Sequence, residues 1–264
     1  MIKKRVTPFR KKVQIGLYFL LLCVILTAVP IHSELSERVE RITGADVLLI
    51  DPGHGGMDGG AESAGGVPEK DINLAISKEL QQMAEADGWR VVMTREEDEG
   101  LYTEGNRTIR SMKTEDLKAR KEIIDKTKPL VTVSIHLNSF KEDRSVHGAQ
   151  VFYPSGSEKE DIYAQCKNLA ELIQEEIKTG IADGTDRVAL GKSGVMILKN
   201  PQTPIAIVEC GFLSNYNEAE LLQSPEYQRK LAGCIYSGIM RFTGREAQKN
   251  APMVDSLGVE QGLK

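Results

Sequence analysis

Residues 47–69 read VLLIDPGHGGMDGGAESAGGVPE, and the folding of this stretch decides how the rest is arranged. Val47 to Ile50 are four consecutive apolar residues, the pattern of a short buried strand. Asp51-Pro52-Gly53 then predicts the strand's end, because proline has no N–H for a ladder and glycine turns freely. His54 follows at once, on a loop at the strand's carboxyl end. Seven glycines lie between Gly53 and Gly66 inclusive, a composition that lets backbone close in around a site. Glu69 stands fifteen residues after His54, where the loop gives way to a helical pattern. A histidine at a strand end and a glutamate at a helix start can converge on one point. The plain alternative is a glycine-rich surface loop with an exposed, merely structural histidine.

Downstream, helices and strands alternate. Ile72, Leu74, Ala75, Leu80 and Met83 give a helical period over 71–87, stopped by Gly88. Trp89–Thr94 reads as a second strand. The polar connection 95–113 is long enough to be a substrate-facing loop or lid. Thr114 is placed to cap a helix running to Lys126. Leu130–Ile135 predicts a strand leading into His136, and Ala149–Tyr153 another. Ser157–Ile181 is an amphipathic helix, and 183–193 a glycine-containing loop. Val195–Leu198 and Ile205–Val208 read as short strands, the second ending at Glu209. Helices over 218–222 and 227–242 close the domain. The expected fold is α/β, a largely parallel twisted sheet of about six strands with helices on both faces. Ligands in such sheets sit beyond the carboxyl ends of the strands, where His54, His136 and Glu209 all fall.

The chain of 264 residues carries a formal charge of −4, unevenly distributed. Met1–Ser33 holds six basic residues and no acidic one, leaving 28 basic against 38 acidic, a net of −10, in the remainder. An acidic body argues against nucleic acid as a partner. The basic run MIKKRVTPFRKK precedes nineteen uncharged residues, Val13–Ile31. That length suits a membrane anchor, with the basic flank cytoplasmic and the body outside; a cleaved signal peptide is the competing expectation. Residues 34–46 then read as a linker, 47–243 as the catalytic domain and 244–264 as a polar tail. No internal repeat of about 20 to 50 residues is visible. The cysteines Cys23, Cys166, Cys210 and Cys234 lack CxxC spacing and are expected as free, buried thiols.

Two histidines and a carboxylate form a common catalytic zinc set. Zinc lowers the pKa of water to about 7. A further carboxylate is then needed to take the proton and pass it to a leaving amine. His54, Glu69 and His136 suit the metal, and Glu209, directly after a buried apolar run, suits the base. Asn138, two residues past His136, is placed either to orient substrate or merely to end the strand. Asp51 is read as a partner of His54 or a turn residue. His147 is expected to face solvent. Arg95 and Arg120 fit a substrate carboxylate or a structural role equally.

The blocks DPGHGGMDGG, PEKDINL, SIHLNSF and IVECGFLSN, in this order, resemble the signature blocks of zinc-dependent N-acetylmuramoyl-L-alanine amidases of the amidase-3 type. The resemblance spans Val47 to Phe242. It implies zinc on His54, Glu69 and His136, a catalytic Glu209, and cleavage of the amide between N-acetylmuramic acid and L-alanine in peptidoglycan. The apolar anchor, the segment EDLKAR at 115–120 and the lack of wall-binding repeats are similar to the germination-specific, spore-cortex branch of that family. For such an enzyme the resemblance implies muramic δ-lactam formation, a place in the forespore intermembrane space, and a possible activator protein. The competing expectations are a zinc peptidase cutting within the stem peptide and a non-catalytic wall-binding regulator.

Overall fold

A computed structural model describes residues 46–245, except 104, 106, 107 and 157–160. The leader, nearly all of the linker, the start of the 157–181 helix and nearly all of the polar tail therefore lie outside the described residues. Among the described residues six strands form one sheet: β1 (Val47–Pro52), β2 (Arg90–Met93), β3 (Val131–Asn138), β4 (Gln150–Pro154), β5 (Leu190–Lys192) and β6 (Ile205–Phe212). Their order is β2-β1-β3-β6-β4-β5. All neighbours are parallel except β4 and β6, so the sheet is largely parallel with a reversed edge.

The period of two along the strands divides the core between two faces. Leu48, Ile50, Val133, Ile135, Ala206 and Val208 meet three helices: α1 (Glu69–Ala86), α3 (Asp161–Ile181) and α5 (Pro225–Thr243). Leu49, Ile205 and Ile207 face the other way and pack with Ile124 of α2 (Ile109–Thr127). A seven-residue helix, α4 (Tyr216–Leu222), follows β6. Helices thus cover both faces, as the alternation of elements predicts.

Several boundaries move. β3 runs on through His136 to Asn138, past the end of its apolar run, because both residues still ladder to β6. The helix expected from Thr114 starts five residues earlier, at Ile109. Thr108 is its cap, its side chain accepting from Ser111 N at 3.2 Å, while Thr114 Oγ1 donates to Arg110 O within the helix. Val195–Leu198 is not a strand: Met196–Leu198 forms a 3₁₀ turn, with Ile197 and Leu198 buried. The sixth strand is instead Leu190–Lys192, inside the expected loop.

Arg95 and Arg120 take the structural role. Both are buried. Arg120 Nη1 donates to Asp51 Oδ1 at 2.7 Å and to Pro52 O at 2.7 Å, and Nη2 donates to His54 O at 2.6 Å. Arg95 donates to Pro52 O and Gly53 O, each at 3.0 Å. Asp51 does not reach His54; it accepts from Thr94, Ser134 and Arg120. Burial pushes its pKa up, but the Arg120 charge and these hydrogen bonds outweigh burial and hold it at about 2.

Arg120→Met should destabilise the protein by about 3–5 kcal/mol in urea unfolding, because it leaves the Asp51 carboxylate buried and unpaired. Arg241→Ala, which breaks only exposed pairs to Glu175 and Glu176, should change stability by less than about 0.5 kcal/mol. Since the folded pKa of Asp51 lies below the ordinary 3.8, its contribution is complete above about pH 4 and is lost as pH falls through 2. Asp51→Asn should flatten that acid limb of the stability curve.

Candidate metal centre

Three elements deliver the candidate metal-ligating residues. β1 ends in the pinned turn and hands the chain to His54, whose φ of 61° is a left-handed conformation that non-glycine residues rarely adopt. Glu69 is the first residue of α1, and its N–H donates to Ala61 O at 2.8 Å. His136 lies on β3. A Cβ at Gly53 would meet the His136 ring at 2.2 Å, and one at Gly60 would meet Glu69 Oε2 at 2.4 Å. At these two positions glycine is what lets the three side chains close up.

His54 Nε2 and His136 Nδ1 lie 3.2 and 3.1 Å from Glu69 Oε1. One ligand atom from each residue falls within 4.8 Å of the others. The Glu69 carboxylate is held from several sides: Oε1 accepts from Leu137 N and Asn73 Nδ2, and Oε2 from Ala61 N. Asp58 Oδ2 lies 2.9 Å from His54 Nδ1, and Asp58 Oδ1 lies 2.6 Å from Lys113 Nζ. Burial disfavours charge on His54, but its hydrogen bonds to Asp58 and Glu69 prevail and raise it to about 9. Glu69 and Asp58 are driven well below the carboxylate range: burial opposes this, and contact with the histidines, joined for Asp58 by Lys113, overcomes it. Two imidazole nitrogens and an ionised carboxylate, converging with the remaining nitrogen of His54 fixed by a second carboxylate, are a donor set that fits a divalent ion such as zinc.

Glu209 is the direct cross-strand partner of His136 in the β3–β6 register. Its side chain is 12% exposed, and its oxygen Oε1 lies 3.4 Å from Lys192 Nζ. Cys210 points to the opposite face and is buried, as expected for the next strand residue. A cleft of about 300 Å³ joins His54, His136 and Glu209 to Lys113 and Leu117 of α2. Asn138 ends β3 beside a register shift against β6, its Oδ1 accepting from Ser139 N at 2.8 Å, and it does not line this cleft. His147 is exposed, as read from its polar loop. The described cysteines are free, Cys166 and Cys210 buried and Cys234 half-buried.

Sequence reasoning missed Asp58, Asn73 and Lys192. Asp58 lies four residues past His54 in the same loop, and that proximity was the available signal. Asn73 lies one helical turn after Glu69. Lys192 carried none, since β5 has no apolar run. The 95–113 connection is shorter than expected, and it is strapped to the His54 loop. Asp98 accepts from Gly56 N and Lys70 Nζ, and Tyr102 Oη accepts from Met57 N at 2.7 Å.

Sheet, cleft and donor set together describe an α/β protein with a His–Glu–His cluster able to hold a divalent ion beside the carboxyl ends of its strands. Residues 48–241 match the N-acetylmuramoyl-L-alanine amidase family (Amidase_3), and the chain belongs to it. It is 38% identical over 196 residues to the germination-specific N-acetylmuramoyl-L-alanine amidase of Bacillus subtilis (strain 168), covering 74% of this chain and 79% of that protein. The solved CwlD amidase from Clostridioides difficile, in complex with the GerS lipoprotein, is 40% identical with a TM-score of 0.71, covering 75% of this chain and 98% of that one. AmiC2 of Nostoc punctiforme, also an N-acetylmuramoyl-L-alanine amidase, is 30% identical with a TM-score of 0.62. The chain is thus a peptidoglycan amidase, homologous to a germination-specific one.

Asp58→Asn should weaken metal binding ten- to a hundredfold in a chelator competition titration, since it removes the carboxylate that orients His54.

Proposed function

We propose that this amidase is zinc-dependent and that it strips stem peptides from the peptidoglycan of the spore cortex, a step toward muramic δ-lactam. The observation that carries the chemistry is the pairing of Glu209 with His136 across β3 and β6, which sets a carboxylate beside the three metal donors. Homology to a germination-specific amidase supports the cortex as the setting.

His54, Glu69 and His136 would hold the zinc. When bound, the ion supplies Lewis-acid polarisation of the lactyl carbonyl and makes water acidic near neutral pH. Glu209 takes the proton of the attacking water and delivers it to the alanine nitrogen as the amide C–N bond breaks. The lactyl group leaves as a carboxylate and the stem as a free amine. Leu117 and Ile207 line the cleft with apolar surface. Asn138, with Oδ1 engaged, is proposed to hold substrate through its amide NH₂ at the end of β3.

A wall polymer as substrate places the enzyme outside the cytoplasmic membrane; the forespore intermembrane space is the compartment this reading gives it. No helix among the described residues is long and apolar enough to cross a membrane, and the proposed anchor, 13–31, lies outside them. A protein activator is part of the same reading, supported by the GerS complex of the related CwlD amidase.

Glu209→Ala should retain zinc by metal analysis and lose at least about 10²-fold in turnover. Mass spectrometry of digested cortex peptidoglycan should show intact stems beginning at L-alanine, and a chelator should abolish their release. Products cut within the stem would establish the peptidase alternative instead.

A further inference from the structure

Lys192 is the cleft's least committed cation. β5 pairs with β4 so that Leu190 stands beside Phe152 and Lys192 beside Pro154. The Lys192 side chain then reaches back over the Phe152 ring, with Nζ 4.2 Å from the ring centroid. This brings Nζ to 3.4 Å from Glu209 Oε1, a long contact for an ion pair. Among the described residues that is its one acceptor, so an ammonium with three donors has two to spare. The other cations of the cleft are held closer to their partners. Lys113 holds Asp58 at 2.6 Å, and Arg120 is shared among Asp51, Asp116 and backbone carbonyls.

A lysine that served only to neutralise Glu209 would be expected to close to an ordinary hydrogen bond. This one is instead shelved on an aromatic face, 36% exposed, with donors free for an incoming anion. The position matches the leaving side of the substrate. Glu209 must come within about 3 Å of the scissile nitrogen, so Lys192 Nζ sits at most about 6–7 Å from that atom. A carboxyl carbon one residue beyond the alanine is five bonds from the same nitrogen and reaches about 6 Å when extended.

We propose that Lys192 is a specificity-determining residue that receives the free carboxylate of the acidic stem residue following alanine. The proposal rests on the amidase reading, because it assumes that the alanine nitrogen lies at Glu209. Phe152 holds the ammonium in place, and the carboxylate draws the stem along the β4–β5 edge while Glu209 keeps its proton-transfer role. An enzyme built this way discriminates between stems that differ in a single functional group, a free carboxylate against its primary amide.

The test uses the full chain with zinc and two synthetic muropeptides whose glutamate γ-carboxyl is amide-bonded to a following lysine, MurNAc-L-Ala-γ-D-Glu-L-Lys and its α-amide, MurNAc-L-Ala-D-isoglutaminyl-L-Lys. Wild type should favour the carboxylate by about tenfold in kcat/KM, equivalent to about 1.4 kcal/mol. In Lys192→Met that ratio should collapse to about one, carried mainly by KM, and Lys192→Arg should restore part of it. A wild-type ratio near one overturns the proposal, whether or not any variant folds. So does a Lys192→Met enzyme that slows equally on both substrates, which would make the lysine a partner of Glu209 only. Wild-type enzyme that cuts neither compound at the lactyl amide overturns the amidase reading itself, and the proposal with it.

Discussion

Two buried guanidinium groups hold the turn on which the site depends. Arg95 and Arg120 come from different parts of the chain and donate to the carbonyl oxygens of Pro52, Gly53 and His54. A chain leaving a strand through three consecutive carbonyls would normally satisfy them in water or a helix. Here these arginines satisfy them inside the protein, and Asp51 balances the Arg120 charge at 2.7 Å. The left-handed conformation of His54 persists because its carbonyl is fixed from one side and its ring from the other. Bare backbone at Gly53 then leaves room for the His136 ring. The candidate metal donors therefore depend on a polar core built beneath the turn that carries them.

The sheet contributes a second kind of order. Residues of one parity on β3 and β6 build the hydrophobic layer against α1, α3 and α5; those of the other parity face α2. His136 and Glu209 belong to the second set, with Thr132, Ser134, Ile205 and Ile207 below them. Two neighbouring strands in register thus bring a candidate metal ligand and the proposed proton carrier side by side, from residues 73 positions apart in the chain. The alternation also puts Cys210 on the opposite face, where burial pushes its thiol far above the ordinary range.

Much of this was legible because the strands of a buried parallel sheet announce themselves as apolar runs, and polar residues at their ends stand out. His54, His136 and Glu209 were found in that way, and Glu69 as the first residue of a helix. What was illegible lacked such contrast. β5 is three residues long and largely exposed, so no apolar run marks it; the buried apolar tetrapeptide that follows packs as a 3₁₀ turn and reads falsely as a strand. The roles of Arg95 and Arg120 could not be chosen from sequence, because a guanidinium serves a carbonyl and a carboxylate equally well. Thr108 and Thr114 both suit a helix cap, and only the folded structure selects the first.

The three donors sit on elements that are far apart in the chain: the loop after β1, the first turn of α1, and β3. An ion bound there would act as a crosslink, closing an 83-residue span of backbone between His54 and His136 in addition to its chemical role. Glu209 lies outside that crosslink. Occupancy would therefore govern how often the glycine-rich loop opens, which amide hydrogen exchange across 53–68 reports directly, while Glu209 on β6 stays equally ordered with or without the ion.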